Sequence, residues 1–494
     1  MPDTHDTAAL TADRRRVIDD FLTDWLSEHR IPGAAVAVVA DGETVYSEGY
    51  GARDLASNTP ATAETLYGVA SVTKSFTALA VLQQVERTEL ELADPITEYL
   101  DVYAELDDPP TIHELLCHSS GMPSDGVSVA LISRLTEQNP VEVPLSSDAD
   151  LDRHVSGALG DRAAVGSPAA LASDERPFFY YNTGYTMLGR LVAELDGRDF
   201  PAYVAGEILA PLGMDRSRVA PESLEGIENA MTPYKYVGGE GDDGGDGERP
   251  EREETVFPVK GVGAAGGLLA SVTELAEYLA FHASCGTDGS GSGSEIIDPG
   301  LLDEAHQAHA TRQTYLDGAE QGYGYGWMRR SLLGDTVVEH GGSLGVSTAY
   351  VGYLEDAGIG VALACNDSPE AHPQYVGPAL LALLENQDPA EATRFYALRE
   401  KLERVAGEYE SHRGIASVTV DPAGGTLDVT FETALGEQSF SAHPETTDAD
   451  DLTFYTVEAS GAKVPLTFVP GEEDDVGESD AMDLFYQRWR LHGT

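Results

Sequence analysis

The chain has 494 residues, with 85 Asp or Glu against 30 Lys or Arg, and a formal net charge of −55 when its 13 histidines are neutral. Such a surface repels phosphates and anionic headgroups, which argues against nucleic-acid and membrane partners. A hydrophobic content of 41 % argues against disorder as the origin of the charge.

The acid excess runs through the whole chain, and lysine occurs only at Lys74, Lys235, Lys260, Lys401 and Lys463. This is the composition expected of a protein working in molar salt, where screening removes most self-repulsion. Cys117, Cys285 and Cys365 cannot build a disulfide framework, and a reducing compartment or plain core packing suffices to account for them. The first residues lack an apolar signal core, and no run of 18 apolar residues occurs, so the expectation is a soluble, cytoplasmic protein.

In chain order, Val17, Phe21, Trp25 and Leu26 have helical spacing and predict a helix over 12–29. Asp41-Gly42 joins two β-rich runs in 35–51, a hairpin signal. Helices are expected over 71–87, 111–117, 183–196 and 271–283, and a β-rich block over 323–365 with a turn near Glu355–Gly358. Strands from both ends bracketing a helical middle suggest one antiparallel sheet. Residues 123–170, 238–254 and 286–294 are polar or Gly-rich and are expected to be irregular surface insertions. A helix near 386–400 is expected to link a first domain, 1–395, to a second, 400–494, whose short β-runs fit a small sandwich or barrel.

Ser71 and Lys74 lie three apart at the start of an apolar helix, hence on one face. A weak nucleophile needs a base within hydrogen-bond reach. Burial and the helix dipole both disfavour the ammonium of Lys74, which can then accept a proton near neutral pH. The same spacing at Ser460 and Lys463 falls in a hairpin context and serves as a decoy. Tyr180 and Asn182 precede a helix, as a phenol for proton transfer and an amide for a substrate carbonyl, with Tyr181 as the fallback. Otherwise they are an aromatic pair and an N-cap. His340, Gly342 and Ser343 follow a strand, where glycine lets a substrate approach the backbone. His412 and Gly414 repeat that pattern at a second place.

Taken in this order and context, the three motifs resemble the serine β-lactamase and penicillin-binding-protein superfamily, most of all its class C β-lactamase, D-aminopeptidase and esterase branch. The stretches 67–82, 111–123, 179–195, 261–279 and 340–347 carry the resemblance, over roughly residues 10–385. It implies an α/β (α+β) fold with a helix-flanked antiparallel sheet, followed by a lipocalin-like C-terminal barrel. It implies Ser71 as the acylated nucleophile, Lys74 as its proton partner and Tyr180 as general base and acid. Asn182 and Gly342 would bind substrate, His340 would stand in place of the third-motif lysine, and the backbone N–H groups of Ser71 and Ser343 would form the oxyanion hole. No metal or organic cofactor is implied. A histidine in the third motif pairs less firmly with a carboxylate, so esterase or peptidase activity on D-amino-acid or small acyl substrates is expected over β-lactam hydrolysis.

Two other readings stand beside it. Gly341–Gly345 matches G-x-S-x-G with Ser343 as nucleophile and Asp356 or Asp367 with His372 as partners, but the next segment, 346–354, is β-rich rather than helical. A hydrolase-like binding protein without activity is the other. His113, Glu114 and His118 miss the zinc spacing by one residue and read as structural. A small molecule or short peptide is expected as the substrate, and the sequence leaves the oligomeric state open.

Overall fold

A computed structural model describes residues 10–123, 126, 130, 148–165, 176–237, 251–258, 263–288, 295–434, 436–470, 482–487 and 489–493. Helix α1 (Ala12–Glu28) starts at Thr11, whose side chain accepts from the Arg14 N–H, and it buries Ile18, Leu22, Trp25 and Leu26. Strands β1 (Gly33–Ala40) and β2 (Glu43–Asp54) form the expected hairpin, with Asp41 and Gly42 both at positive φ as a tight two-residue turn requires. β3 (Thr59–Pro60) extends it.

Then come α2 (Thr73–Arg87), α3 (Ile112–Leu116), α4 (Asn182–Asp196) and α5 (Val272–Asp288). The later strands are β4 (Ala310–Thr314), β5 (Glu320–Tyr323), β6 (Met328–Leu332), β7 (Asp335–Ser343), β8 (Thr348–Leu354) and β9 (Ile359–Cys365). They join one nine-stranded sheet in the order β3-β2-β1-β9-β8-β7-β6-β5-β4, so both ends of the region meet where β1 pairs antiparallel with β9, Ala34 opposite Cys365. β1 and β9 are apolar and buried almost throughout because they are central and covered on both faces. α5 packs across β1, β2 and β9, and α2 is buried without a break from Thr73 to Gln84.

Two insertions carry more structure than expected. Within 123–170, a helix spans Asp148–Ala158, and Leu151 and Val155, four apart, form its buried stripe. Within 238–254, Glu251–Glu254 pairs with Tyr234–Val237, where Lys235 faces Glu253 across the ladder. In 286–294, α5 continues to Asp288, and the remainder lies outside the described residues.

A second set of strands closes an eight-stranded barrel running from Gly407–Ser411 to Trp489–Gly493, with Tyr409 opposite Gly493. Alternate residues such as Val418, Val420, Leu427, Val429, Phe454 and Leu466 fill its interior. The predicted linker helix is a short turn of helix, Pro389–Ala392, followed by Arg394–Val405. By compactness the chain divides into Met1–Gln313 with Glu320–Leu381, and Thr314–Ala319 with Ala382–Thr494. The decoy Lys463 is exposed and bound to Glu445, and His412–Gly414 is a single turn at the barrel's first corner.

Candidate active site

Ser71 sits in a one-turn 3-10 segment, Ala70–Val72, that runs directly into α2. Ala70 is held at φ +50°, a left-handed conformation costing a residue with a Cβ about 1–2 kcal/mol. The turn is wedged against β7. A Cβ built on Gly342 would lie 2.2 Å from the Val69 carbonyl oxygen and 2.8 Å from the Ser71 nitrogen. Only glycine permits the strand to approach the Ser71 backbone this closely.

Lys74 is completely buried. Its Nζ lies 3.1 Å from Ser71 Oγ and donates to the Ala265 carbonyl at 2.6 Å. Among the described residues no carboxylate pairs with it, and burial holds its pKa well below the ordinary lysine value. The rings of Tyr180 and Tyr185 lie 4.9 and 5.5 Å from Nζ. A neutral amine with one N–H committed to Ala265 has a lone pair with which it can accept the Ser71 proton, and a transient ammonium would face two aromatic rings.

Tyr180 comes from the segment before α4. Burial pushes its pKa up to about 12, against hydrogen bonding to Ser71, the charge of Arg312 and hydrogen bonding to Tyr323. Tyr181, the fallback, points elsewhere, its hydroxyl 3.0 Å from that of Tyr103. Asn182 is the first residue of α4 rather than its cap. Among the described residues no hydrogen bond ties it to Ser71 or Lys74.

His340 and Ser343 belong to β7 itself rather than to a turn beyond it. His340 is buried, with Nδ1 2.6 Å from the Gly341 carbonyl and Nε2 3.1 Å from Tyr323 Oη. A carbonyl only accepts, so Nδ1 carries the proton and Nε2 accepts from the phenol. Burial, with Lys74 nearby, lowers the His340 pKa to about 3 and keeps the ring neutral.

Tyr323, Tyr185 and Arg312 escaped the motif reading, and His118, read from the sequence as structural, joins them at the site. Tyr323, at the end of β5, bridges Tyr180 and His340. Tyr185 anchors its hydroxyl on the Leu116 carbonyl, and His118 lies against Tyr180, Tyr185 and Tyr323. Arg312 donates to Gln321 at 2.5 Å and acts on Tyr180 and His340 as a nearby positive charge. The aromatic, Gly-rich run 321–327 was the available signal for Tyr323.

The competing patterns do not assemble. Ser343 closes β7 and leads toward β8, and its Oγ is 3.5 Å from Ser368 Oγ. Asp367 pairs with Arg252, and His372 Nδ1 accepts from the Gln374 N–H. No strand-to-helix elbow forms. His113 bonds Tyr325, and Glu114 closes a capping box with Thr111. Among the described residues no group of three or more His, Cys, Asp or Glu could hold a metal ion, and no helix is long and apolar enough to cross a membrane.

Comparison with known proteins gives the relatives of the two regions. Residues 389–492 match the Pab87 octamerisation domain. The octameric penicillin-binding protein homologue from Pyrococcus abyssi superposes with a TM-score of 0.83 at 29 % identity, covering 97 % of this chain and 99 % of that one. Esterase EstB of Burkholderia gladioli is 29 % identical over 411 residues, 76 % of this chain and 95 % of the esterase. Protein flp of Staphylococcus aureus (strain COL) is 28 % identical over 226 residues, 45 % of this chain, so the match spans less than half, 42 %, of that relative's length. The D-amino acid amidase from Ochrobactrum anthropi SV3 complexed with D-phenylalanine shares the fold, with a TM-score of 0.59 at 21 % identity over 76 % of this chain and 99 % of that one. Residues 14–385, which carry the whole sheet and the Ser71–Lys74 pair, match the Beta-lactamase family model, and the chain belongs to that family of serine hydrolases.

Proposed function

We propose that the protein hydrolyses esters or amides of small acyl or D-amino-acid compounds through an acyl-enzyme on Ser71. The observation that carries this is the 3.1 Å contact between Ser71 Oγ and a fully buried Lys74 that has no carboxylate partner among the described residues. Lys74 takes the Ser71 proton as Oγ bonds to the substrate carbonyl carbon. Tyr180, protonated at neutral pH, gives its proton to the leaving oxygen or nitrogen and recovers one from Lys74. Water then attacks the ester carbon, passes a proton back through the same pair and releases Ser71. The backbone N–H groups of Ser71 and Ser343 receive the oxyanion, and Asn182 holds the substrate amide or ester.

A neutral His340, with both ring nitrogens engaged by Gly341 and Tyr323, offers no cation to the carboxylate of a β-lactam. This favours esters and amides, in keeping with the esterase and amidase among the similar proteins. The barrel is proposed as an assembly module, on the strength of its match to the octamerisation domain.

The test is intact-protein and peptide mass spectrometry in high KCl after exposure to a fluorophosphonate, an activated ester and a penicillin. The expected result is an adduct on Ser71, fastest with the ester and lost in Ser71→Ala and Lys74→Ala. An adduct on Ser343 would replace the mechanism, and no serine adduct on folded protein would leave a binding protein.

A further inference from the structure

His118 occupies a position where its backbone is under strain. α3 ends at Leu116, Cys117 is its C-cap, and His118 follows at φ +60°. The Ser119 N–H closes back on the Glu114 carbonyl at 2.9 Å, the six-to-one bond of a Schellman motif. Glycine is favoured at this left-handed position, with asparagine next. A fully buried histidine there needs a reason beyond ending the helix.

The reason lies in what it touches. Its carbonyl accepts from the Phe179 N–H at 3.0 Å, and its Nδ1 accepts from the Tyr181 N–H at 3.0 Å. These two bonds bracket Tyr180. The imidazole lies 4.3 Å from the Tyr180 ring, centroid to centroid, with Tyr323 at 4.8 Å and Tyr185 at 5.1 Å on its other sides. Nε2 is buried among these rings without a hydrogen-bond partner among the described residues. The left-handed backbone is what lets one residue present both its carbonyl and its ring nitrogen to the same three-residue segment.

We propose that His118 is the positioning residue for Tyr180, holding the 179–181 backbone at two points and backing the phenol with its ring so that the hydroxyl stays over Ser71 and Lys74. This role rests on the reading of Tyr180 as a proton carrier in the Ser71 reaction.

The preference of the site for glycine makes a clean test possible. His118→Gly suits the left-handed backbone and keeps the carbonyl bond to Phe179 but removes the ring and its bond to Tyr181. His118→Asn also suits the backbone and returns an acceptor oxygen near the position of Nδ1. Both are measured in the full chain in high KCl, with circular dichroism and melting temperature alongside kcat and KM on a D-amino-acid anilide. In His118→Gly, kcat is expected to fall about 10²-fold, as for a misplaced catalytic group, with KM little changed. His118→Asn is expected to recover most of that loss. A folded His118→Gly with wild-type kcat, or a His118→Asn no better than the glycine variant, overturns the proposal. Tyr180→Phe run in parallel separates the failures. If it keeps wild-type kcat, the reading of Tyr180 falls and the positioning role with it. If it loses kcat while His118→Gly does not, only the positioning role falls.

Discussion

An ammonium at Lys74 Nζ would be cut off from water, with one carbonyl, one hydroxyl and two aromatic rings as neighbours. Desolvation without a compensating anion therefore favours the amine, and the amine is the form that can take a proton. Lys74→Arg keeps the positive charge but cannot deprotonate, so it should be as inactive as Lys74→Ala, a loss of about 10²–10⁴-fold in kcat/KM on an activated ester. Tyr180 has the opposite character, since burial keeps its proton on at neutral pH. If it supplies the leaving-group proton, Tyr180→Phe should impair an anilide far more than a p-nitrophenyl ester, whose leaving group needs no proton. Equal losses on the two substrates would place Tyr180 in the attack step instead.

At the level of elements, the site depends on how closely β7 meets the Ser71 turn. Gly342→Ala would set a methyl against the Val69 carbonyl and the Ser71 nitrogen, with rigid backbone on both sides. The strand must move, and the expected results are a loss of about 1–3 kcal/mol in unfolding stability and about 10²-fold in kcat, read by denaturant titration and steady-state kinetics. Gly341, one residue earlier, meets the Gln374 side chain instead and should tolerate alanine better. Ser71, Lys74 and the β7 glycines were legible because each is a local pattern at the start or end of an element. Tyr323, Tyr185, His118 and Arg312 were not, because no local spacing relates them. They become neighbours only when β5, α4, the end of α3 and β4 converge.

For the molecule as a whole, buried histidines and surface carboxylates respond to pH in opposite directions. His282 and His306 lie 2.9 Å apart in the core, and burial lowers both, His306 to about 3. The unfolded chain takes up these protons near pH 6.5 and the folded chain only far below. Their contribution to stability is therefore complete above about pH 6.5 and is lost as pH falls toward 3. Protonating carboxylates meanwhile relieves the −55 charge, which adds stability in the same range at low salt. In high KCl that relief is screened, so the melting temperature should fall from pH 7 to pH 5, and His306→Gln should flatten the fall. At pH 7 the melting temperature should rise with KCl. A flat response would show that the acidic surface carries no salt dependence.

The sequence by itself determined the sheet built from both ends, the β-rich second region and the residues of the three motifs. Hydrophobic period, turn residues and spacing within one element are all local. The tertiary structure alone decided that Asn182 begins a helix instead of capping it. It also turned both nitrogens of His340 inward and gave structure to Asp148–Ala158 and Glu251–Glu254. Which neighbouring side chain is aimed at the nucleophile, and which protonation state burial imposes, depend on contacts between segments far apart in the chain. No period or motif within one segment encodes them.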